Sequence, residues 1–278
     1  PLLSQVLVLK GGTALHLGFG QPQRLSVDLD FNYVGSLQRE VMESARPQIE
    51  EALQRIATAQ GYQVQWSRPA HAGRKCFLAY RSASATPDRI EVDLNFLHRQ
   101  LLLPPSQRAL WSPDPTQSVS SQIISLPELC AGKICALLDR MAPRDLFDMA
   151  YLHQLIPQAS SDPIPRAIII ALSGALTHPI YSYKADRNQR LSEQHVTSQL
   201  HPMLLEGQRP TARELLDASW PLVEPFLDLT EAERAYVDLL QQGKLQPELL
   251  FPEDEDLAEK VRHHPVLLWK AHNAAQHR

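Results

Sequence analysis

Lys10-Gly-Gly-Thr-Ala-Leu-His-Leu is followed, a short loop later, by Ser26-Val-Asp28-Leu-Asp30-Phe. A glycine pair at a turn lets backbone N–H groups approach a polyphosphate, which makes Gly11, Gly12 and Thr13 candidate nucleotide-binding residues. Asp28 and Asp30, two apart among Val27, Leu29 and Phe31, project from one side of a predicted strand. Carboxylate oxygens suit Mg²⁺, so the two blocks together read as a metal–nucleotide site. Taken singly, a Gly-Gly pair is an ordinary turn, and Asp-x-Asp a solvated strand end or a cap. Their order carries the reading: the apolar run Val6–Leu9, the glycines, a short helix-like segment, then acids alternating with apolar residues. Two acids on an apolar strand are costly unless a cation or a partner neutralises them.

Four more polar residues stand where an apolar one would be cheaper. Asp93, among Ile90, Val92, Leu94 and Phe96, reads either as a third carboxylate joining Asp28 and Asp30 or as a solvent-facing acid. Lys133, inside an apolar helical stretch, reads either as a clamp on a triphosphate or as a surface lysine with its stem along the helix. Asp145 and Asp148 share one helix face, and Arg144 and Asp148 are four apart, so the alternative to a catalytic role is a structural ion-pair cluster. From Trp66 to Arg99 there are six basic residues (Arg68, Arg74, Lys75, Arg81, Arg89, Arg99) against three acids, which fits phosphate binding and a solvated sheet face equally.

These residues need a scaffold, and the patterning supplies one. The spacing of Leu37, Val41, Ala45, Ile49, Leu53 and Ile56 predicts a helix over 36–60, kinked or restarted at Pro47. Strands are predicted at Tyr62–Trp66, Cys76–Tyr80 and Ile90–Phe96. Prolines 104, 105, 113 and 115 mark 103–116 as a linker or extended crossing segment. After it the pattern changes to helical periods. A helix opens at Pro127 and ends at Pro143, another restarts at Arg144, and further helical patterns cover 167–176, 211–216, 230–241 and 254–276. The expected fold is α+β: a small mixed sheet with helices over 1–125, then a mostly helical part over 126–278 that completes the active-site cleft.

At 278 residues the chain can bury a full core, and 44% hydrophobic with 21% charged residues describes a soluble globular protein. A net charge of −4 gives no global sign of nucleic-acid binding but hides local patches. Three cysteines without Cys-x-x-Cys suggest neither a disulfide framework nor a zinc knuckle, so a reducing, cytoplasmic setting is expected. No apolar run approaches a membrane span, and no secretory signal is visible. The chain starts at Pro1 and enters the glycine motif almost at once, so native residues before Pro1 are expected. P-loop, zincin and hydrolase motifs are absent. His263-His264, lacking a third ligand nearby, reads as helix-adjacent surface.

Together the stretches LKGGTALHLGFG, RLSVDLDF, IEVDLNF, AGKICALLDRMAPRDLFDMAYL and HPVLLWKAHNA resemble the AbiEii/AbiGii-type nucleotidyltransferase family. These are toxins of type IV toxin–antitoxin systems within the DNA polymerase β-like superfamily. In that superfamily a small residue follows the glycine and an acid-x-acid strand comes some ten residues later. Here Thr13 replaces the common serine, and fourteen residues separate it from Asp28. The resemblance implies a triphosphate role for Lys133 and an essential aspartate at Asp145 or Asp148. It also implies transfer from NTP to RNA, in studied relatives the tRNA 3′ end, and a neutralising antitoxin partner.

The residue types suggest a mechanism. Two Mg²⁺ ions held by Asp28 and Asp30, with Asp93 as third ligand or base, would lower the pKa of an attacking hydroxyl and stabilise the leaving pyrophosphate. Gly11, Gly12 and Thr13 would cradle the triphosphate, and Lys133 would neutralise it. Expected catalytic residues are Asp28, Asp30, Asp93 and Lys133, to which the resemblance adds Asp148, with Asp145 beside the nucleotide. A blocked translation apparatus would stop growth. The rival readings are an NTP- or RNA-binding module without catalysis, disfavoured because a dead site has no reason to keep like charges together, and a small-molecule nucleotidyltransferase.

Overall fold

The computed structural model describes residues 2–70, 72–184 and 191–276, and the chain divides into two compact units. Unit 1 comprises Pro1–Pro22 and Ser26–Ile124; unit 2 comprises Gln23–Leu25 and Ser125–Arg278. The fold is mixed α+β, with one seven-stranded sheet and eleven α-helices among the described residues.

In unit 1, α1 (Leu2–Val6) leads into β1 (Leu7–Lys10), α2 (Gly11–Gly18), β2 (Leu29–Tyr33), α3 (Arg39–Ala59), β3 (Gln63–Trp66), β4 (Gly73–Arg81), β5 (Pro87–Asn95), β6 (Ser106–Leu110) and β7 (Val119–Ile123). The strand order is β3-β4-β5-β2-β1-β7-β6. β2 runs parallel to β5 and β1 parallel to β7, while the other neighbours are antiparallel. Alternation assigns the two faces. Tyr33, Cys76, Leu78, Val92 and Leu94 join Met42 and Ile49 of α3 in one buried cluster. Asp30, Asn32, Lys75 and Asp93 fall on the opposite face. Phe96, just past β5, is fully buried against that cluster, a burial that contributes about 2–3 kcal/mol.

Two expectations change here. α3 passes through Pro47 as one helix of 21 residues, without a restart. The proline forfeits one backbone hydrogen bond, and the buried Met42, Ile49 and Ala52 anchor the helix on both sides of it. The segment 103–116, expected as a linker, contains β6, which pairs with β7 at the sheet's far edge. Both strands are largely polar and exposed, so neither carries an alternating apolar signature.

Unit 2 begins with α4 (Leu126–Arg140), capped by Ser125, whose hydroxyl accepts from the Glu128 N–H. α4 ends at Met141, held at φ 50°, and α5 (Pro143–Leu155) starts at once with proline in its first turn, where the missing N–H costs nothing. α6 (Pro163–Ser173), α7 (Glu193–Gln199), α8 (Ala212–Val223), α9 (Glu231–Leu240), α10 (Glu255–Arg262) and α11 (Pro265–Gln276) follow. α8 and α9 open with full capping boxes, Thr211/Glu214 and Thr230/Glu233. Asp254 caps α10, which leaves Glu255 and Asp256 in its first turn. His264, expected at the surface, is buried at the break between α10 and α11, whereas His263 is exposed. Among the described residues no helix is long and apolar enough to cross a membrane.

Candidate active site

The β1–α2 turn is built around Gly11, whose φ of +72° an L-side chain rarely adopts. Its missing side chain also makes room for a neighbour. A Cβ there would fall 2.1 Å from Oδ2 of Asp30, so the carboxylate lies directly against the glycine backbone. Thr13, buried in α2, donates its hydroxyl to the Asp28 carbonyl at 2.5 Å and lies 3.0 Å from Ser26 Oγ. The threonine thereby fixes the segment leading into β2. Asp28 itself precedes the strand by one residue.

Register then sets the charges in a row across four strands. Lys10 of β1 faces Asp30 of β2, Asp30 faces Asp93 of β5, and Asp93 faces Lys75 of β4. Directly opposed side chains lie about 4.5–5.5 Å apart, so two like charges sit side by side between two cations. Burial raises the Asp93 carboxyl above the ordinary carboxylate value, and Asp30 and Glu91 add to this against Lys75 and Lys10. Lys75 lies 3.9 Å from Asp93 and hydrogen-bonds Glu91, and that bond, with the fields of Glu91, Asp93 and Asp28, raises its own pKa despite partial burial.

The donor set is hard oxygen, and Mg²⁺ typically takes one or two carboxylates while phosphate oxygens and water complete its shell. Asp30 and Asp93 fit that requirement, and the Gly11 cradle leaves the Asp30 oxygen uncovered by any Cβ. Among the described residues no three His, Cys, Asp or Glu side chains converge as a ready ligand cluster.

The remaining site residues from the sequence lie in unit 2. Lys133 lies in the buried stripe of α4 with Cys130, Ile134 and Leu137, and the Met141–Pro143 turn returns α5 beside it. Lys133 Nζ lies 2.6 Å from Oδ2 of Asp148, which is fully buried. Asp148 also accepts two bonds, each 2.7 Å, from the guanidinium of Arg24. Arg24 belongs to unit 2 through residues 23–25, whose backbone bonds the 203–204 segment. Sequence reasoning assigned it nothing, and only its presence in the RLSVDLDF stretch could have drawn attention to it. Asp145 is buried in a fork with Arg140, at 2.6 and 2.8 Å.

A glycine turn cradling one of two paired carboxylates on a mixed sheet suits the handling of metal-bound phosphate. The chain belongs to the AbiEii family: the family described as "Nucleotidyl transferase AbiEii toxin, Type IV TA system" matches residues 1–237. It is accordingly a nucleotidyltransferase and the toxin of a toxin–antitoxin system. A similar solved structure is MenT4, a nucleotidyltransferase toxin from Mycobacterium tuberculosis H37Rv, at 19% identity with a TM-score of 0.58, covering 94% of this chain and 88% of that one. That likeness carries the fold. No curated protein matches the chain.

Proposed function

We propose that the chain transfers nucleotides from an NTP to an RNA acceptor, the 3′ end of tRNA, and so blocks translation until its antitoxin neutralises it in the cytoplasm. The observation that carries this reading is the Asp30–Asp93 pair, held in register on β2 and β5 with Asp30 against Gly11. Asp28, Asp30 and Asp93 would hold Mg²⁺, two ions between them. Such an ion supplies Lewis-acid stabilisation of the phosphate oxygens and a lowered pKa for the attacking hydroxyl.

The chain's own groups do the rest. Gly12 and Thr13 stand in the first turn of α2, where the free N–H groups of a helix N-terminus favour phosphate oxygens. Thr13 holds Asp28 in place through its carbonyl. Lys133 is assigned to the triphosphate and Asp148 to holding that lysine. Arg24 keeps Asp148 neutralised when Lys133 turns away, because a buried carboxylate left alone is strongly destabilising. Asp145, locked to Arg140, acts by fixing the start of α5 against the end of α4.

The test is purified protein incubated with total tRNA and each labelled NTP in turn, with the modified end mapped. Label at the 3′ terminus from one or more NTPs supports the reading. NTP binding without pyrophosphate release would replace it by a binding module, and label on a small molecule by the other rival.

A further inference from the structure

The structure divides five of the six basic residues between Trp66 and Arg99 into different roles. Arg74 pairs with Glu50 and lies 5.0 Å over the Trp66 ring, and Arg99 donates to the carbonyls of Leu37 and Phe96. Lys75 is engaged by Glu91 and Asp93. Arg81 donates to the Ala85 carbonyl, and Arg89 differs from all of these. By strand alternation both stand on the carboxylate face of β4 and β5, and both are exposed. Among the described residues Arg89 forms no ion pair; its guanidinium instead lies 4.8 Å over the ring of half-buried Phe77. Exposed Gln63 and Gln65 of β3 continue this face to the sheet's edge.

We infer that this face of β3–β5, centred on Arg89 stacked over Phe77, is the platform that receives the single-stranded 3′ end of the RNA acceptor. The inference rests on the proposed transfer to RNA and names where the acceptor lies. A guanidinium already held over an aromatic ring is placed to meet a base, and stacking on aromatic or Arg planes is how proteins hold unpaired RNA bases. Arg81 and Arg89 supply phosphate-binding charge, and the glutamines supply neutral donors and acceptors. Charge changes sign along β5: Arg89 stands on the outer half and Asp93, beside Asp30, on the inner half. Four residues of strand span about 13 Å, room for the last nucleotides of a strand whose terminal hydroxyl reaches the carboxylates while its phosphates stay on the arginines. A duplex end, with its bases already stacked on one another, gains nothing from the Arg89 plane.

The test uses the full chain and a fluorescent mixed-sequence oligoribonucleotide, single-stranded or as a blunt duplex, with Kd read by anisotropy at several salt concentrations. Arg89→Gln and Phe77→Leu are expected to weaken single-strand binding about tenfold and duplex binding less than twofold. Arg89→Lys keeps the charge and the salt slope but loses most of the affinity that Arg89→Gln loses. Thermal midpoints verify that each variant is folded, and Arg89, being exposed, keeps the test valid if Phe77→Leu does not fold. Single-strand affinity unchanged in Arg89→Gln, or equal losses for single strand and duplex, would overturn the platform; transfer to RNA by the wild-type chain would then leave the proposed function standing. Wild-type protein that binds NTP but neither RNA would overturn both.

Discussion

Oδ2 of Asp30 occupies the space where Gly11 would carry its side chain, 2.1 Å from the position of a Cβ. The glycine is therefore required twice, by its φ of +72° and by the carboxylate lying against it. Gly61 supplies the control: its φ is +87°, but nothing lies within 4 Å of its Cβ position. Gly11→Ala and Gly61→Ala should each cost about 1–2 kcal/mol through the left-handed backbone. Only Gly11→Ala should also displace Asp30 and abolish transfer. Thermal midpoints and transfer rates on both variants check this; an active Gly11→Ala protein would break the link between the turn and the carboxylate.

Thr13 is a second positioning contact. Thr13→Val leaves the Asp28 carbonyl without its donor in a buried setting, a loss of about 1–3 kcal/mol. Thr13→Ser keeps the hydroxyl and should restore both stability and transfer. Denaturant midpoints and transfer rates separate the two, and equal behaviour of Val and Ser would show that the hydroxyl has no such role.

In unit 2 the shared carboxylate predicts unequal effects. Asp148→Asn leaves Arg24 and Lys133 buried without their anion and should destabilise by about 3–5 kcal/mol. Lys133→Met leaves Asp148 with both Arg24 bonds and keeps the apolar stem, so the change should stay within about 1 kcal/mol. NTP affinity on the same Lys133→Met preparation should fall at least tenfold. Unchanged affinity would reduce Lys133 to a structural residue.

The Arg166–Glu233 fork predicts a pH dependence. Burial pushes the Glu233 carboxyl up, but the Arg166 bonds at 2.6 and 2.8 Å and the Thr230 N–H outweigh it, so its folded pKa lies below the ordinary glutamate value. A depressed carboxyl contributes stability that is fully present above the unfolded pKa and is lost as pH falls through the folded one. Wild type should therefore lose stability more steeply than Glu233→Gln below about pH 4.5. Urea midpoints measured from pH 6 to pH 3 check this, and parallel curves would contradict it.

Particular residues show what the sequence could and could not reveal. Asp30 and Asp93 each stand out as acids in alternating apolar strands, and their shared sheet face follows from that period. Their adjacency does not, because β2 pairs with β5 across the intervening β3 and β4. β6 and β7 stayed hidden because SQRAL and VSSQI are largely polar segments without an apolar alternation, set among prolines. Arg24 was invisible for a different reason: its partner Asp148 lies 124 residues away, and no local pattern marks a loop arginine as buried. Helix starts in unit 2 were legible because Pro127, Thr211, Thr230 and Asp254 act within one turn.

The central claim is that the carboxylate row on β2 and β5 performs nucleotidyl transfer. The most direct measurement is label transferred from NTP to RNA by wild type, Asp30→Asn and Asp93→Asn, each checked for folding by thermal midpoint. Removing one of two neighbouring negative charges relieves repulsion, so both variants should fold with midpoints at or above that of wild type. Both should lose transfer by at least a hundredfold, about 2.7 kcal/mol or more of transition-state stabilisation. Folded Asp30→Asn or Asp93→Asn protein with wild-type transfer would contradict the account.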